Sequence, residues 1–174
     1  MVIDNGTTAS RIKEIVQELK MEGHPEGGWF SEVYTAPVSF TDAGEQRALA
    51  GSIYYLLDGP AISAFHQIDC EELWYYHEGT GMRLYVLKQD GTMVQYLLGK
   101  QLSQGERPMV RIRAGEIFAA ENLEQDSYTL ISCATAPKFR YEGWRLVQLE
   151  ELLSALFGNT GMEKVLCRKR INIF

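Results

Sequence analysis

Between residues 29 and 135 the chain is cut into short apolar or alternating runs, separated by turns rich in glycine, aspartate and proline. That punctuation restricts this region to a β-sandwich or barrel. The run 48–57, with Ser52-Ile53-Tyr54-Tyr55-Leu56-Leu57, is apolar on both faces and has to be covered on both. Residues 82–88 set Met82, Leu84 and Val86 against Arg83, Tyr85 and Leu87. Gln89-Asp90-Gly91-Thr92 then reads as a hairpin turn, because Asp-Gly accepts the positive φ angles a tight turn needs. Residues 93–98 return beside that strand, and 109–113 and 128–135 add further strands. Residues 37–47 are polar, with a turn at 41–44, and read as a long loop over a barrel mouth or against a neighbouring subunit.

Helical patterning is confined to the two ends. Ile12, Ile15, Val16 and Leu19 form one stripe, predicting a helix over about 8–22 with Thr7 or Thr8 as its cap. A short helix is predicted from about 150, stopped by Gly158, with a tail to 174. The expected fold class is all-β, one domain, with the barrel at about 28–149; a length of 174 residues suits a single core. Net charge is −6, which disfavours nucleic acid and anionic membranes as partners. No apolar run approaches the roughly 20 residues that span a bilayer. The first residues lack the basic and apolar regions of a signal peptide. Cys70, Cys133 and Cys167 are too few and too scattered for a disulfide framework, and read as free thiols in a reducing cytoplasm. The basic residues 168–170 read as a solvated end.

Chemistry concentrates at residues 63–79. Ala64, His66 and Ile68 share one face of a strand. After a turn at 69–71, Glu72, Trp74 and Tyr76 form a second same-face series. Pairing of the two strands would bring His66 and Glu72 together beside an indole, as in a small-molecule pocket. A carboxylate buried alone costs several kcal/mol, so Glu72 is expected to fix or charge His66. His77 has the opposite parity and should face the other side.

The spacing of His66, Ile68, Glu72 and Gly79 resembles the first motif of the cupin superfamily, with Ile68 where that motif has a second histidine. Ala114-Gly115-Glu116-Ile117-Phe118-Ala119-Ala120-Glu121-Asn122 resembles its second motif, with Phe118 in place of the last histidine and Arg113 in place of a proline. His24-Pro25-Glu26-Gly27-Gly28-Trp29-Phe30, the Ser52–Leu57 run and the segment 133–139 are similar to an uncharacterised cupin branch. The resemblance implies a double-stranded β-helix, the cupin jelly-roll barrel. It also places Glu26 in the pocket, since the branch carries this acid in the same Gly-Gly context. A metal-binding cupin uses positions 66, 68, 72 and 118; Ile68 and Phe118 offer no donor atom, so no metal and no other cofactor is expected. His24, in a bend of unknown position, is the remaining candidate to complete such a set.

The expected catalytic pair is His66 and Glu72. The expected ligand contacts are Glu26, Trp74, Tyr76, Phe118 and Tyr128. Distantly similar sugar-nucleotide epimerases pair a barrel histidine with a tyrosine acid; here Tyr34, Tyr54, Tyr55, Tyr76 and Tyr128 are the candidates. Arg83, Arg111 and Arg113 are candidates for holding a diphosphate. Glu32 is expected to pair across strands and Cys133 to be an inert buried thiol. The functional expectation is a cupin that binds a small polar ligand, carbohydrate-like or a carbonyl compound, with a metal-independent isomerase or epimerase as its enzymatic form. The alternatives are a non-catalytic binding or structural jelly roll, and a metal-dependent enzyme that recruits His24. A homodimer is expected, since pairing across a dimer is one way to cover open jelly-roll edges.

Overall fold

The computed structural model describes residues 7–157. Cys167, the stop at Gly158 and the basic residues 168–170 fall outside them. After helix α1 (Thr8–Glu18) come β1 (Glu22–Gly23), β2 (Trp29–Thr35), β3 (Ser39–Asp42), β4 (Glu45–Ala48), β5 (Gly51–Asp58), β6 (Ile62–Ile68) and β7 (Glu71–Gly79). The order continues with β8 (Met82–Leu87), β9 (Met93–Leu98), β10 (Met109–Ile112), β11 (Ile117–Asn122), β12 (Tyr128–Ala136), β13 (Trp144–Leu146) and helix α2 (Leu149–Phe157). One sheet runs β1-β2-β5-β12-β7-β10 and the facing sheet β13-β6-β11-β8-β9. This is the expected jelly roll with a helix at each end.

Period-two alternation builds the core. Tyr55 and Leu57 of β5, Trp74 of β7, Ile131 and Cys133 of β12 pack inward against Ile68, Leu84, Val86 and Phe118 of the other sheet. The opposite faces are covered by helices. Ile12, Ile15, Val16 and Leu19 of α1 pack over Tyr54, Leu56 and Leu130. Leu152 and Leu156 of α2 pack over Phe65, Leu87 and Ile117. Thr7 caps α1 by accepting from the Ser10 N–H. The helix ends sooner than the stripe predicts, because Lys20 takes a left-handed φ of 51° and turns the chain into β1.

Two expectations are corrected. Residues 37–47 do not form a free loop: β3 and β4 make a hairpin, turned by Ala43 and Gly44 with positive φ. Arg47 fixes this hairpin to the body. Its buried guanidinium donates to Asp69 at 2.7 and 3.0 Å and to the Lys138 carbonyl at 2.8 Å. Nor do β6 and β7 pair with each other. The chain crosses from one sheet to the other at Asp69–Cys70, so β6 pairs with β11 and β13, and β7 with β12 and β10. His66 and Glu72 therefore approach from opposite walls.

Candidate functional site

Between the sheets lies a cavity of about 130 Å³ whose lining includes His24, Glu26, Tyr55, His66, Glu72 and Trp74. Its rim carries Glu32, Lys138 and Tyr141.

The bend before β2 delivers Glu26. Gly27 and Gly28 hold φ values of 114° and 74°, and a side chain on either would collide with backbone: a Cβ at Gly27 would stand 2.2 Å from the Ile62 carbonyl, one at Gly28 2.5 Å from that of Leu56. The bend is closed by hydrogen bonds from Gly27 N to His24 O at 3.0 Å and from His24 N to Gly28 O at 2.9 Å. It docks on β6 through the Ala64 N–H, which donates to the Glu26 carbonyl at 3.1 Å.

The Glu26 carboxyl then meets three side chains. The Trp144 indole N–H donates to Oε1, Ser63 Oγ donates to Oε2 at 3.3 Å, and His66 Nε2 lies 3.3 Å from Oε2. His66 Nδ1 lies 2.7 Å from the Ala64 carbonyl, an oxygen that can only accept, so Nδ1 carries a proton. With the ring neutral, Nε2 is an acceptor, and the proton between it and Glu26 belongs to the acid.

The electrostatics agree with that assignment. Burial pushes Glu26 up to about 8, helped by the charge of Glu72, against the hydrogen bonds from Trp144 and Ser63. Burial lowers His66 to about 4; its bond to Ala64 opposes this and His24 adds to it. His24 also falls to about 4 through burial, and its Nδ1 accepts from the Glu26 N–H at 3.2 Å. At neutral pH both rings are therefore neutral and Glu26 holds a proton.

Glu72 enters from β7, register-paired with Thr135 of β12 and Ile112 of β10. Burial raises it to about 7. The Trp74 indole and the Cys133 thiol stand close enough to lower it slightly, but no hydrogen bond of good geometry forms, and the Trp74 N–H is left unsatisfied. The acid on His66 is thus Glu26 and not Glu72, a correction that follows from β6 and β7 lying in opposite sheets.

The other expected residues divide. Phe118, fully buried, pairs with His66 across β11 and β6, its ring centroid 3.9 Å from the imidazole, and meets Trp74 edge-on at 6.1 Å. It fixes the ring and does not line the cavity. Tyr76 points inward but lies farther along β7, its hydroxyl donating to the Gly79 carbonyl at 2.7 Å, beside a separate polar cleft with Lys100 and Glu106. Tyr128 lies outside the cavity altogether: Thr129 and Ile131 take the inward parity of β12, and the Tyr128 hydroxyl donates to Glu78, which also receives Arg11 of α1 at 2.7 Å. His77 occupies the outer face, as its parity requires, against Ser132 and Tyr54. Glu32 pairs with Lys138 at 2.8 Å. Cys133 is buried, with a thiol pKa well above the ordinary value, chiefly through burial.

Sequence reasoning missed the roles of Ser63, Trp144 and Tyr55. Tyr55 donates to the Gly27 carbonyl at 2.8 Å and so holds the bend from β5. Ser63 had no parity signal, since strict alternation from His66 puts position 63 on the opposite face, and only the register shift in the pairing of β6 with β11 buries both. Trp144 had none, because β13 is placed only by its pairing with β6.

The donor set does not fit a cupin metal centre. Ile68 and Phe118 stand where two ligands would be, and no group of three or more His, Cys, Asp or Glu side chains among the described residues is arranged to hold a metal ion. No helix among them is long and apolar enough to cross a membrane.

Protein SO0799 from Shewanella oneidensis has a similar structure, with a TM-score of 0.77 and 28% identity over 87% of this chain and 94% of that one. A hypothetical protein from Leishmania major superposes with a TM-score of 0.76 at 25% identity, over 88% and 96% of the two chains. Oxalate decarboxylase from Bacillus subtilis shares the fold at 18% identity and a TM-score of 0.56, over 83% of this chain and 35% of its own. No curated protein matches the chain in sequence. Residues 13–147 match the family described as Cupin superfamily (DUF985), and the chain belongs to that family.

Proposed function

We propose that the cavity binds a small carbonyl compound and moves a proton on it without a metal, as an isomerase does. The observation that carries this is the pair of carboxyl groups on opposite walls, one held protonated and one poised near neutrality. Two titratable groups pushed to different pKa values by their surroundings are a general acid and a general base in waiting. Glu72, at about 7, is partly ionised at neutral pH and receives no hydrogen bond of good geometry, so it is free to take a proton from carbon. Glu26, at about 8, holds the proton to be given to the carbonyl oxygen. The carbon proton ends on Glu72, the Glu26 proton ends on oxygen, and the product is a neutral enol; return of a proton to the other side or the neighbouring carbon gives the isomer. His66 positions Glu26 and keeps its proton, and touches the reaction through that acid.

The cavity volume supports a ligand of about six heavy atoms, since an engineered cavity of about 150 Å³ holds benzene. That disfavours a sugar nucleotide, as does the position of the arginines: Arg83 pairs with Glu121 and Arg111 with Glu71, both on strand faces away from the cavity lining.

The test is hydrogen exchange. Small aldehydes and ketones, neutral and charged, are incubated with the protein in deuterium oxide and followed by proton NMR. Exchange next to the carbonyl is expected, falling about 10²–10⁴-fold in Glu72→Gln. No exchange on any compound by the unaltered protein would refute the proposal and leave the cavity a binding site.

A further inference from the structure

The ionisable groups of the cavity lining are mostly acids. Glu26, Glu32 and Glu72 face a single ammonium, that of Lys138, and both histidines are neutral at pH 7. The ammonium is already committed at the rim, 2.8 Å from Glu32 and 2.7 Å from Thr35. Glu26 is satisfied by Trp144, Ser63 and His66. Glu72 is not: only 8% exposed, it faces the cavity and receives no hydrogen bond of good geometry. The ionisable groups around it are of the wrong kind to neutralise it. Its charge helps burial to raise Glu26, and adds to the burial that pushes up the Cys133 thiol and the Tyr55 hydroxyl. A carboxylate in such a place stays protonated or waits for a positive partner.

Aromatic rings complete the surroundings. Phe30, Tyr55, Trp74, Phe139 and Tyr141 line the same space. Ring faces attract a cation within about 6 Å, the more strongly when it is desolvated. An anion would find no uncommitted positive charge and two acids. A metal ion would find no three donors among the described residues arranged to hold it.

We propose that the ligand of this cavity is a small organic cation, a protonated amine of about six heavy atoms, with its positive charge held between Glu72 and the aromatic wall. This rests on the cavity being the ligand site described above, and narrows the carbonyl compound to one that carries an ammonium group. The cation keeps Glu72 ionised, which is the state in which it accepts a proton from carbon. Binding is therefore coupled to proton release. The amine displaces the proton that Glu72 otherwise holds, so affinity rises about tenfold between pH 6 and pH 8, and the proton given up approaches one per ligand toward pH 6.

The experiment compares three chain-matched probes, n-butylammonium, butyramide and butyrate, titrated into the intact protein. Tryptophan fluorescence reports binding through Trp74 and Trp144, and a pH indicator in weak buffer reports the proton. Butylammonium is expected to bind at least tenfold more tightly than the other two, releasing protons, with affinity rising from pH 6 to pH 8. In Glu72→Gln the preference and its pH dependence are expected to vanish. Should that variant misfold, the ranking of the three probes on the unaltered protein still decides. Equal or tighter binding of butyrate or butyramide would overturn the cation and leave the acid–base pair standing, whose own test is the exchange experiment. Failure of all three to bind would overturn the cation and remove the cavity as a ligand site as well.

Discussion

Replacing Glu26 by Gln should make the protein more resistant to alkali. In the folded state the carboxyl is raised from 4.5 to about 8, mainly by burial. A folded pKa above the unfolded one means that the native state holds the proton more tightly. The associated stability is complete below pH 4.5 and is lost as pH rises, until the group also ionises in the native state near 8. From pH 6 to pH 9 the loss from this one group is about 2–3 kcal/mol, at 1.36 kcal/mol per unit of pKa difference. Gln keeps the shape of the neutral acid. Its oxygen can still accept from Trp144, and its amide can donate to His66 Nε2 as the acid does and to Ser63 Oγ, whose hydroxyl turns from donor to acceptor. The two proteins should therefore diverge from about pH 4.5 upward, the variant gaining about 2–3 kcal/mol on the unaltered protein between pH 6 and pH 9. For a chain of this length that is a separation of about 5–10 °C in Tm. Thermal unfolding by circular dichroism across pH 5–9 measures it. Parallel curves would show that Glu26 is ionised in the native protein and would refute the shared-proton arrangement with His66.

On the acid side His24 and His66 are lowered from 6.5 to about 4, so the stability they carry is present above 6.5 and lost as pH falls toward 4; His24→Asn should flatten that limb of the same Tm profile. Gly27→Ala should lower Tm and abolish hydrogen exchange together, because a Cβ there meets the Ile62 carbonyl and pushes Glu26 off β6, a cost of about 1–3 kcal/mol. Tyr128→Phe should leave exchange activity unchanged and cost about 1 kcal/mol in urea unfolding, since it removes only the bond to Glu78 beneath α1. Elemental analysis of untagged protein should find no stoichiometric transition metal; one equivalent of iron, manganese, nickel or zinc would overturn the donor argument. The exposed apolar residues Val33 and Tyr34 on β2 and Val38 and Phe40 beside it predict a dimer by light scattering, shifted to monomer by Val38→Glu with Phe40→Glu.

Alternation along the strands made much of this legible in advance. It put His66, Glu72 and Trp74 inward and His77 outward, and the Asp90-Gly91 turn of the β8–β9 hairpin follows from turn chemistry alone. Sheet membership is another matter. A two-residue crossover and a short turn at 69–71 look alike in sequence, so local rules pair β6 with β7, and with them His66 with Glu72. Tyr128 went astray because β12 is apolar on both faces: Leu130 lies under α1 and Ile131 in the core, and nothing in the sequence tells which row the tyrosine joins. The hairpin of β3 and β4 was hidden by its polar composition, since its anchor, Arg47, is a buried charge whose partners lie 22 and 91 residues away. Glu26 could not be placed by local rules, because its position depends on where the tip of a glycine bend touches another strand.

That touch falls on Ala64. Its amide holds the carbonyl of Glu26 and its own carbonyl orients the ring of His66. The clasp joining acid to imidazole is thus made of main chain, at a position already occupied by alanine. Side-chain truncation across the whole protein would leave it untouched and unnoticed; a proline, or an ester in place of that amide, is the kind of change that opens it.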